Sequence, residues 1–428
     1  MTTTLPTDEP PALPTDEPPA PMASHHAPEP NPAPRLRKPQ SAPRRRRPAG
    51  RLTPADLGVL RLYLFTRLGL WLVAYCTAWL SPAAADAKTP APWLSRWEQW
   101  DWAHLQHIAQ YGYFEPFPGV RPASDNRVAF FPGFPLLLRT VHTVVSDWTV
   151  AGLLISLVTG AVAVVALARI AGVGQPDGVL AGRRATGFLL TSPAAVFLAA
   201  GYTESTFLAF ALPAWLAARN RNWPVAGLLT AAATATRVSG LFLAAAITVE
   251  FLLAHDDRRG RRRWHSLPWC AAPSVSALAY TVYLHAHTDD WMAWKHAEER
   301  GWYRDFHSPA EAFGNTWRSA FGHVQTTGYA WEFQLELLAM AVGVLLLILL
   351  LLHRRWPEAV YIALSLWALG TSYWYLSIPR ATLLWWPLWI GLAHWSLRRE
   401  WVREAYVGAV APLAVVLAVT FTSGHWSG

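Results

Sequence analysis

Trp100-Asp101 opens the run WDWAHLQHIAQYGY (Trp100 to Tyr113), which follows the first long apolar stretch of a 428-residue chain and leads to AFFPGFP (Ala129 to Pro135). A carboxylate beside apolar helices is costly to place, which marks Asp101 for proton transfer rather than for packing. Ser95-Arg96-Trp97-Glu98 has capping-box spacing and Gly112 is a natural stop, so the spacing predicts a helix from about 96 to 111 with Ser95 as its N-cap. On that helix Asp101, His104 and Ile108 share a face with Trp97, and Asp101 and His104 can point into one cavity. The plainer alternative is a surface helix whose Trp97, Trp100 and Trp102 form an interfacial aromatic belt.

Four more residues carry candidate chemistry. Glu204, in GYTES, stands at a turn between two apolar helices, where it faces the cavity or caps the second helix. Arg237, in TRVSG, and Arg380, in SIPRATLLWW, each separate apolar segments. A lone outer arginine snorkels to lipid, whereas two arginines facing a cavity with carboxylates suit an anionic head group, because guanidinium matches phosphate geometry. Asp290, in HTDDWMAWKHAEERGW, opens a polar loop and is the last substrate-binding candidate, with Trp100 and His104. His104/His107 and His285/His287 form no compact ligand set, so no catalytic metal is expected. No Gly-rich phosphate loop, CxxC pair or HExxH occurs, so no Walker-type ATPase supplies energy from within this chain; no cofactor is expected.

The elements that must position these residues are apolar helices. The chain is 53% hydrophobic with 25 Trp, the composition of an all-α polytopic membrane protein. Apolar runs occupy 59–80, 150–172, 185–200, 203–218, 224–236, 240–254, 266–286, 332–352, 359–376, 381–397 and 405–422, several of them shorter than the ~20 residues a bilayer needs. Arginine clusters at Arg183-Arg184, Arg219/Arg221, Arg258 to Arg263, Arg354-Arg355 and Arg398-Arg399/Arg403 fall after alternate spans, which sets them all on the cytoplasmic side. The segment 128–147 breaks this alternation if it spans, so it reads as an interfacial or re-entrant helix. About eleven transmembrane helices follow, with two long external loops near 81–149 and 287–331 holding the candidate site on the outer face.

Residues 1–55 repeat TDEPPA and then turn arginine-rich, a disordered cytoplasmic tail too polar to fold, touching anionic lipid rather than nucleic acid; 56–428 form the catalytic domain. With lysine only at Lys38, Lys88 and Lys295, the +8 charge is nearly all arginine, a GC-rich coding bias that points to a bacterial plasma membrane. Cys76 and Cys270 lie in apolar stretches and read as small core residues outside any disulfide framework.

Taken in order, WDWAHLQHIAQYGY, AFFPGFPLLLR, SPAAVFLAAGYTESTFLAF, ATATRVSGLFL, TDDWMAWKHA and SIPRATLLWWPLW resemble the PIG-V family of mannosyltransferases, over about 95 to 395. The resemblance implies a GT-C-like glycosyltransferase fold and a polyprenyl-phosphate-mannose donor. It also implies Asp101 as the catalytic acidic residue of the first external loop, with Arg237 and Arg380 in matching local motifs. Where family members often read Gly-Asp-Pro, this chain has Asp289-Asp290-Trp291. The acceptor is a glycolipid, glycan or protein that the resemblance does not identify. The rival from another class is a transporter or flippase of lipid-linked sugars, which needs no reactive carboxylate and usually carries paired internal repeats, absent here. Sidedness is testable directly: a cysteine at Ser124 should react with an impermeant thiol reagent outside intact cells and one at Arg261 should not, and reversed labelling overturns the topology.

Overall fold

The computed structural model describes residues 52–82, 88–115, 126–254 and 264–428. Residues 1–51 of the expected tail, the Arg258 to Arg263 cluster and position 124 lie outside them. Among the described residues every regular element is helical. They are α1 (Pro54–Leu80), α2 (Asp101–Tyr111), α3 (Gly133–His142), α4 (Trp148–Gly172), α5 (Gly178–Leu190), α6 (Thr203–Arg219), α7 (Trp223–Thr236) and α8 (Ser239–Leu253), followed by α9 (Pro268–Thr288), α10 (Ala293–Trp302), α11 (Pro309–Phe321), α12 (Thr327–Leu352), α13 (Trp356–Gly370), α14 (Ile378–Ala381), α15 (Trp386–Arg398) and α16 (Trp401–Thr422).

All eleven apolar runs overlap helices, yet among the described residues only α1, α4, α12 and α16 are long and apolar enough to cross a membrane alone. The helices α6, α7 and α8 have 17, 14 and 15 residues. At 1.5 Å per residue they reach about 21–26 Å, short of a ~30 Å hydrocarbon layer. A helix that stops short leaves backbone groups and polar ends inside the protein, tolerable only where other protein or a cavity receives them. Here those ends meet: Glu204 lies in the first turn of α6 and Arg237 is the C-cap of α7. Arginines lie at the other ends of α6 and α7, with Arg219 closing α6 and Arg221 just before α7. The segment expected to be interfacial forms the short α3, clamped onto the end of α2 by Arg139, which donates to the carbonyls of Ala109 (2.6 Å) and Gln110 (3.1 Å).

Two expectations fail here. The helix in the first loop begins at Asp101, and Leu94–Trp97 form a separate 3-10 turn. The Ser95 hydroxyl donates to Pro92 O instead, and Glu98 accepts from Thr149 on α4 at 2.6 Å, so the capping box does not form. A tertiary partner for Glu98 outcompetes the local cap. Cys76 is exposed on α1 rather than in the core, whereas Cys270 is half-buried against the core as expected. Apolar neighbours in a lipid-facing helix surround a residue without enclosing it.

Packing around α2 depends on close backbone approach. The Trp102 indole is buried at 2% exposure between α4 and the turn before α6, where a Cβ on Gly152 would stand 2.5 Å from it and one on Gly201 2.4 Å. These two glycines make the slot that seats the residue after Asp101. Gly201→Ala should therefore overpack the slot, costing about 1–3 kcal/mol and lowering the thermal midpoint in detergent. Gly69→Ala on α1, whose Cβ would meet nothing within 4 Å, should be neutral or slightly stabilising. Equal midpoints for the two variants would remove the Trp102 slot as a constraint.

Candidate active site

Four of the seven residues singled out from sequence converge. Arg380 bridges two carboxylates: its Nε donates to Glu204 Oε1 at 2.6 Å and its Nη1 to Asp101 Oδ2 at 2.5 Å. Arg237 Nη1 donates to the same Glu204 Oε1 at 2.6 Å and to Thr203 Oγ1 at 2.6 Å. The polarity of the helices favours each placement. Asp101 and Glu204 sit in the first turns of α2 and α6, where the partial positive end stabilises an anion, and Arg237 sits at the C-terminal end of α7, where a cation is favoured. Each such interaction contributes about 0.3–1 kcal/mol, more when partly buried.

The charges differ in access. Glu204 is fully buried and its Oε2 has no hydrogen-bond partner among the described residues, whereas Asp101, with 11% of its side chain exposed, lines a cavity of about 130 Å³. Arg380 has 8% of its side chain exposed and is flanked by Phe197 and Tyr202, each ring centroid 4.8 Å from its guanidinium. It engages carboxylates with two of its five donors, which leaves an edge for a ligand. Arg237, with 26% exposed, is the more open of the two arginines.

Backbone strain brackets the cluster. Trp100, the residue before Asp101, has φ +50°, and Ser377, just before α14, has φ +64°. Non-glycine residues in this region cost of order 1–3 kcal/mol and persist where their surroundings over-determine them. For Ser377 the cause is visible: buried Glu336 of α12 accepts from the backbone N–H of Ser377 (2.6 Å) and Ile378 (2.8 Å), satisfying the start of α14 and setting Arg380. The Trp100 ring itself is 44% exposed and meets Trp426 edge-on at 5.3 Å.

The other two candidates lie apart from the ion-pair cluster. The His104 ring stacks on Phe130 at 5.3 Å and meets Trp302 edge-on, so it stands behind the cavity wall that those aromatic rings form. Asp290 accepts from His296 Nδ1 and from the Met292 N–H, at 2.7 and 2.8 Å, in a loop staple outside the cavity. The neighbouring His296 ring and the backbone N–H hold its carboxyl below the usual range.

The cavity also contains residues that the sequence reading missed: Trp294, Glu298 and Trp302 of α10, with Arg304 just beyond. Arg304 approaches Glu298 to 3.7 Å and donates to Leu376 O at 3.1 Å. Burial pushes the Glu298 carboxyl up, Arg304 and Arg237 oppose this, and Asp101 adds to it. The signal was present as spacing, since Trp294, Glu298 and Trp302 recur every four residues and so share one helix face. Among the described residues no cluster of three or more His, Cys, Asp or Glu side chains could hold a metal ion.

No family model matches the chain. It is similar to GPI alpha-1,6-mannosyltransferase 2 of Mus musculus, 33% identical over 201 residues, covering 44% of this chain and 37% of that protein. The same enzyme of Rattus norvegicus is 32% identical (42% and 36% covered) and that of Cricetulus griseus 35% (38% and 32% covered). These relatives bear out the resemblance to the PIG-V family, and the chain spans about a third of their length. Among solved structures it is similar to the Archaeoglobus fulgidus oligosaccharyltransferase at 11% identity and a TM-score of 0.37, covering 85% of this chain and 53% of that one.

The buried network makes a stability prediction. Glu204→Gln removes the carboxylate that two arginines share and should cost about 3 kcal/mol, since breaking a buried pair leaves an uncompensated charge. Asp290→Asn, on the surface staple, should be nearly silent. Thermal unfolding of both variants in detergent checks this, and equal losses would mean that the Glu204 pairs do not hold the site together.

Proposed function

We propose that this chain is a membrane glycosyltransferase of GT-C-like fold that moves mannose from a polyprenyl-phosphate-mannose donor to an acceptor hydroxyl, with inversion, at the outer face of a bacterial plasma membrane. The observation that carries the reading is the arrangement of Asp101 with Arg380, Glu204 and Arg237 at the ends of short helices, with Asp101 open to a cavity.

In this reading Asp101 takes the proton from the acceptor hydroxyl as that oxygen attacks the anomeric carbon, and the carbon–oxygen bond to phosphate breaks on the opposite face. The charge that develops on the departing phosphate needs cations already in place. Arg237 and Arg304 line the cavity and supply them together with the remaining N–H donors of Arg380, whose Nε and Nη1 fix Glu204 and Asp101. The isoprenoid has a place to lie: an apolar groove of about 410 Å³ runs along α12 from Leu337 to Ile348 and ends at Tyr375, two residues before Ser377. Trp294 and Trp302 offer rings for the sugar face, and Trp100 with Trp426 lies at the entrance to α2. The acceptor is taken as a hydroxyl on a glycolipid, glycan or protein.

The test is to incubate membranes with labelled polyprenyl-phosphate mannose and follow transfer. Asp101→Asn keeps shape but loses the proton acceptor, so turnover should fall by ~100-fold or more with donor binding little changed. A near wild-type rate would remove Asp101 as the base and leave Glu298, the other carboxylate lining the cavity. Movement of labelled donor across the bilayer without any mannosylated product would favour the transporter reading instead.

The arginines should separate kinetically. Arg380→Lys keeps the charge but replaces a fork that spans two carboxylates with a single nitrogen, so turnover should fall severalfold or more. Arg237→Ala and Arg304→Ala remove cations that meet both the bound phosphate and the charge growing on it, so each should raise the donor KM as well as lower turnover. A purely KM effect for Arg380→Lys would make it a plain phosphate ligand.

A further inference from the structure

At the opposite ends of the helices from the carboxylate cluster lies a second cavity, of about 380 Å³, between α1, α5 and α16. One stripe of α5 forms its floor: Leu180, Arg183, Arg184, Gly187, Phe188 and Thr191 recur at three- and four-residue steps. From Leu180 to Thr191 the stripe runs about 16 Å at 1.5 Å per residue. Its character changes along that length. Arg183 and Arg184, joined by Arg403 of α16, stand at one end, and the walls beyond them are Leu62, Phe188 and Val407.

The cations are short of partners. Arg183 and Arg403 form no ion pair with a carboxylate among the described residues. Arg184 donates to Ser396 O and approaches Glu400 only to 3.6 Å, a carboxylate 85% exposed, while its buried Nε has no partner. Gly187 keeps the floor open, since a Cβ there would meet only Leu62 Cδ2, at 4.0 Å. Three arginines at one mouth of an otherwise apolar groove match an amphiphile with an anionic head, because guanidinium pairs with phosphate while the acyl chain covers the Leu62 and Phe188 walls. The volume lies within the ~300–1,000 Å³ usual for small-molecule sites.

We infer that this groove binds one anionic phospholipid, its phosphate on Arg183, Arg184 and Arg403 and one acyl chain along α5 past Gly187. The site is separate from the Asp101 cavity and does not depend on the activity proposed for it. Occupancy would tie α1 to α5 and α16, all three of which line the groove.

Thermal unfolding of the purified protein in a neutral detergent tests the inference, with phosphatidylglycerol, phosphatidylcholine and inorganic phosphate added in separate arms. Phosphatidylglycerol should raise the midpoint by about 2 °C or more, and the other two should leave it unchanged. Equal shifts with phosphatidylcholine would show a groove for any lipid tail, and an equal shift with phosphate alone would show a free-anion site; either overturns the inference. Two variants locate the lipid. Arg183→Gln/Arg403→Gln removes the unpaired cations, Gly187→Leu fills the floor without touching an arginine, and each should weaken phosphatidylglycerol binding at least tenfold. A full shift retained in Gly187→Leu would place the lipid elsewhere.

Discussion

The contact on which the rest of the site depends is the Arg380 guanidinium, whose Nη1 and Nε hold carboxylates 279 and 176 residues away in sequence. Removing three charged groups from water is expensive, and their attraction offsets that cost only when geometry and hydrogen bonding are good. Arginine can do this because its planar fork presents Nε and Nη donors at fixed angles, so one side chain can face Asp101 and Glu204 together. Arg237 then completes the balance on Glu204, giving two cations for two anions. The pairs bring the starts of α2 and α6, the end of α7 and α14 to one place, which no local sequence signal could do.

What surrounds the pairs explains how short elements carry them with precision. α14 has four residues and cannot hold a conformation alone. It is held from outside, by Glu336 on the N–H groups of Ser377 and Ile378 and by Pro379 within its first turn. Asp101 is fixed in a similar way by its neighbours: Trp102 is wedged over Gly152 and Gly201, and the Tyr202 hydroxyl donates to Gln99 O at 2.5 Å. The positive φ values at Trp100 and Ser377 are the cost of turning both chains sharply toward one cavity.

Helix positions and charged residues were legible in the sequence for different reasons. Apolar runs reveal helices because the signal is spread over many residues, and Glu204, Arg237 and Arg380 stood out because charge is rare among such neighbours. The Ser95–Glu98 box misled because a four-residue motif says nothing about Thr149, which takes Glu98 in three dimensions. Glu298 and Arg304 escaped notice in a loop where charge is common and rarity carries no information. Only their placement in the cavity beside Trp294 and Trp302 distinguishes them from solvated side chains.

Arginine takes three distinct environments here. Around Asp101 the arginines are matched by carboxylates, so an anionic ligand arriving there must share cations already committed and gains most if charge grows during reaction. Arg67 in α1 is sealed from solvent, its guanidinium 5.2 Å from the Tyr63 ring and without a hydrogen-bond partner, which leaves it closed to any ligand. Arg183 and Arg403 have no carboxylate partner among the described residues and line an open groove, so a phosphate there would meet positive charge from the start. Net charge treats the three groups alike, but a matched group suits transient charge and an unmatched one suits a resident anion. Partnering, more than the number of arginines, therefore decides which end of this helical bundle can support chemistry and which can hold a lipid in place.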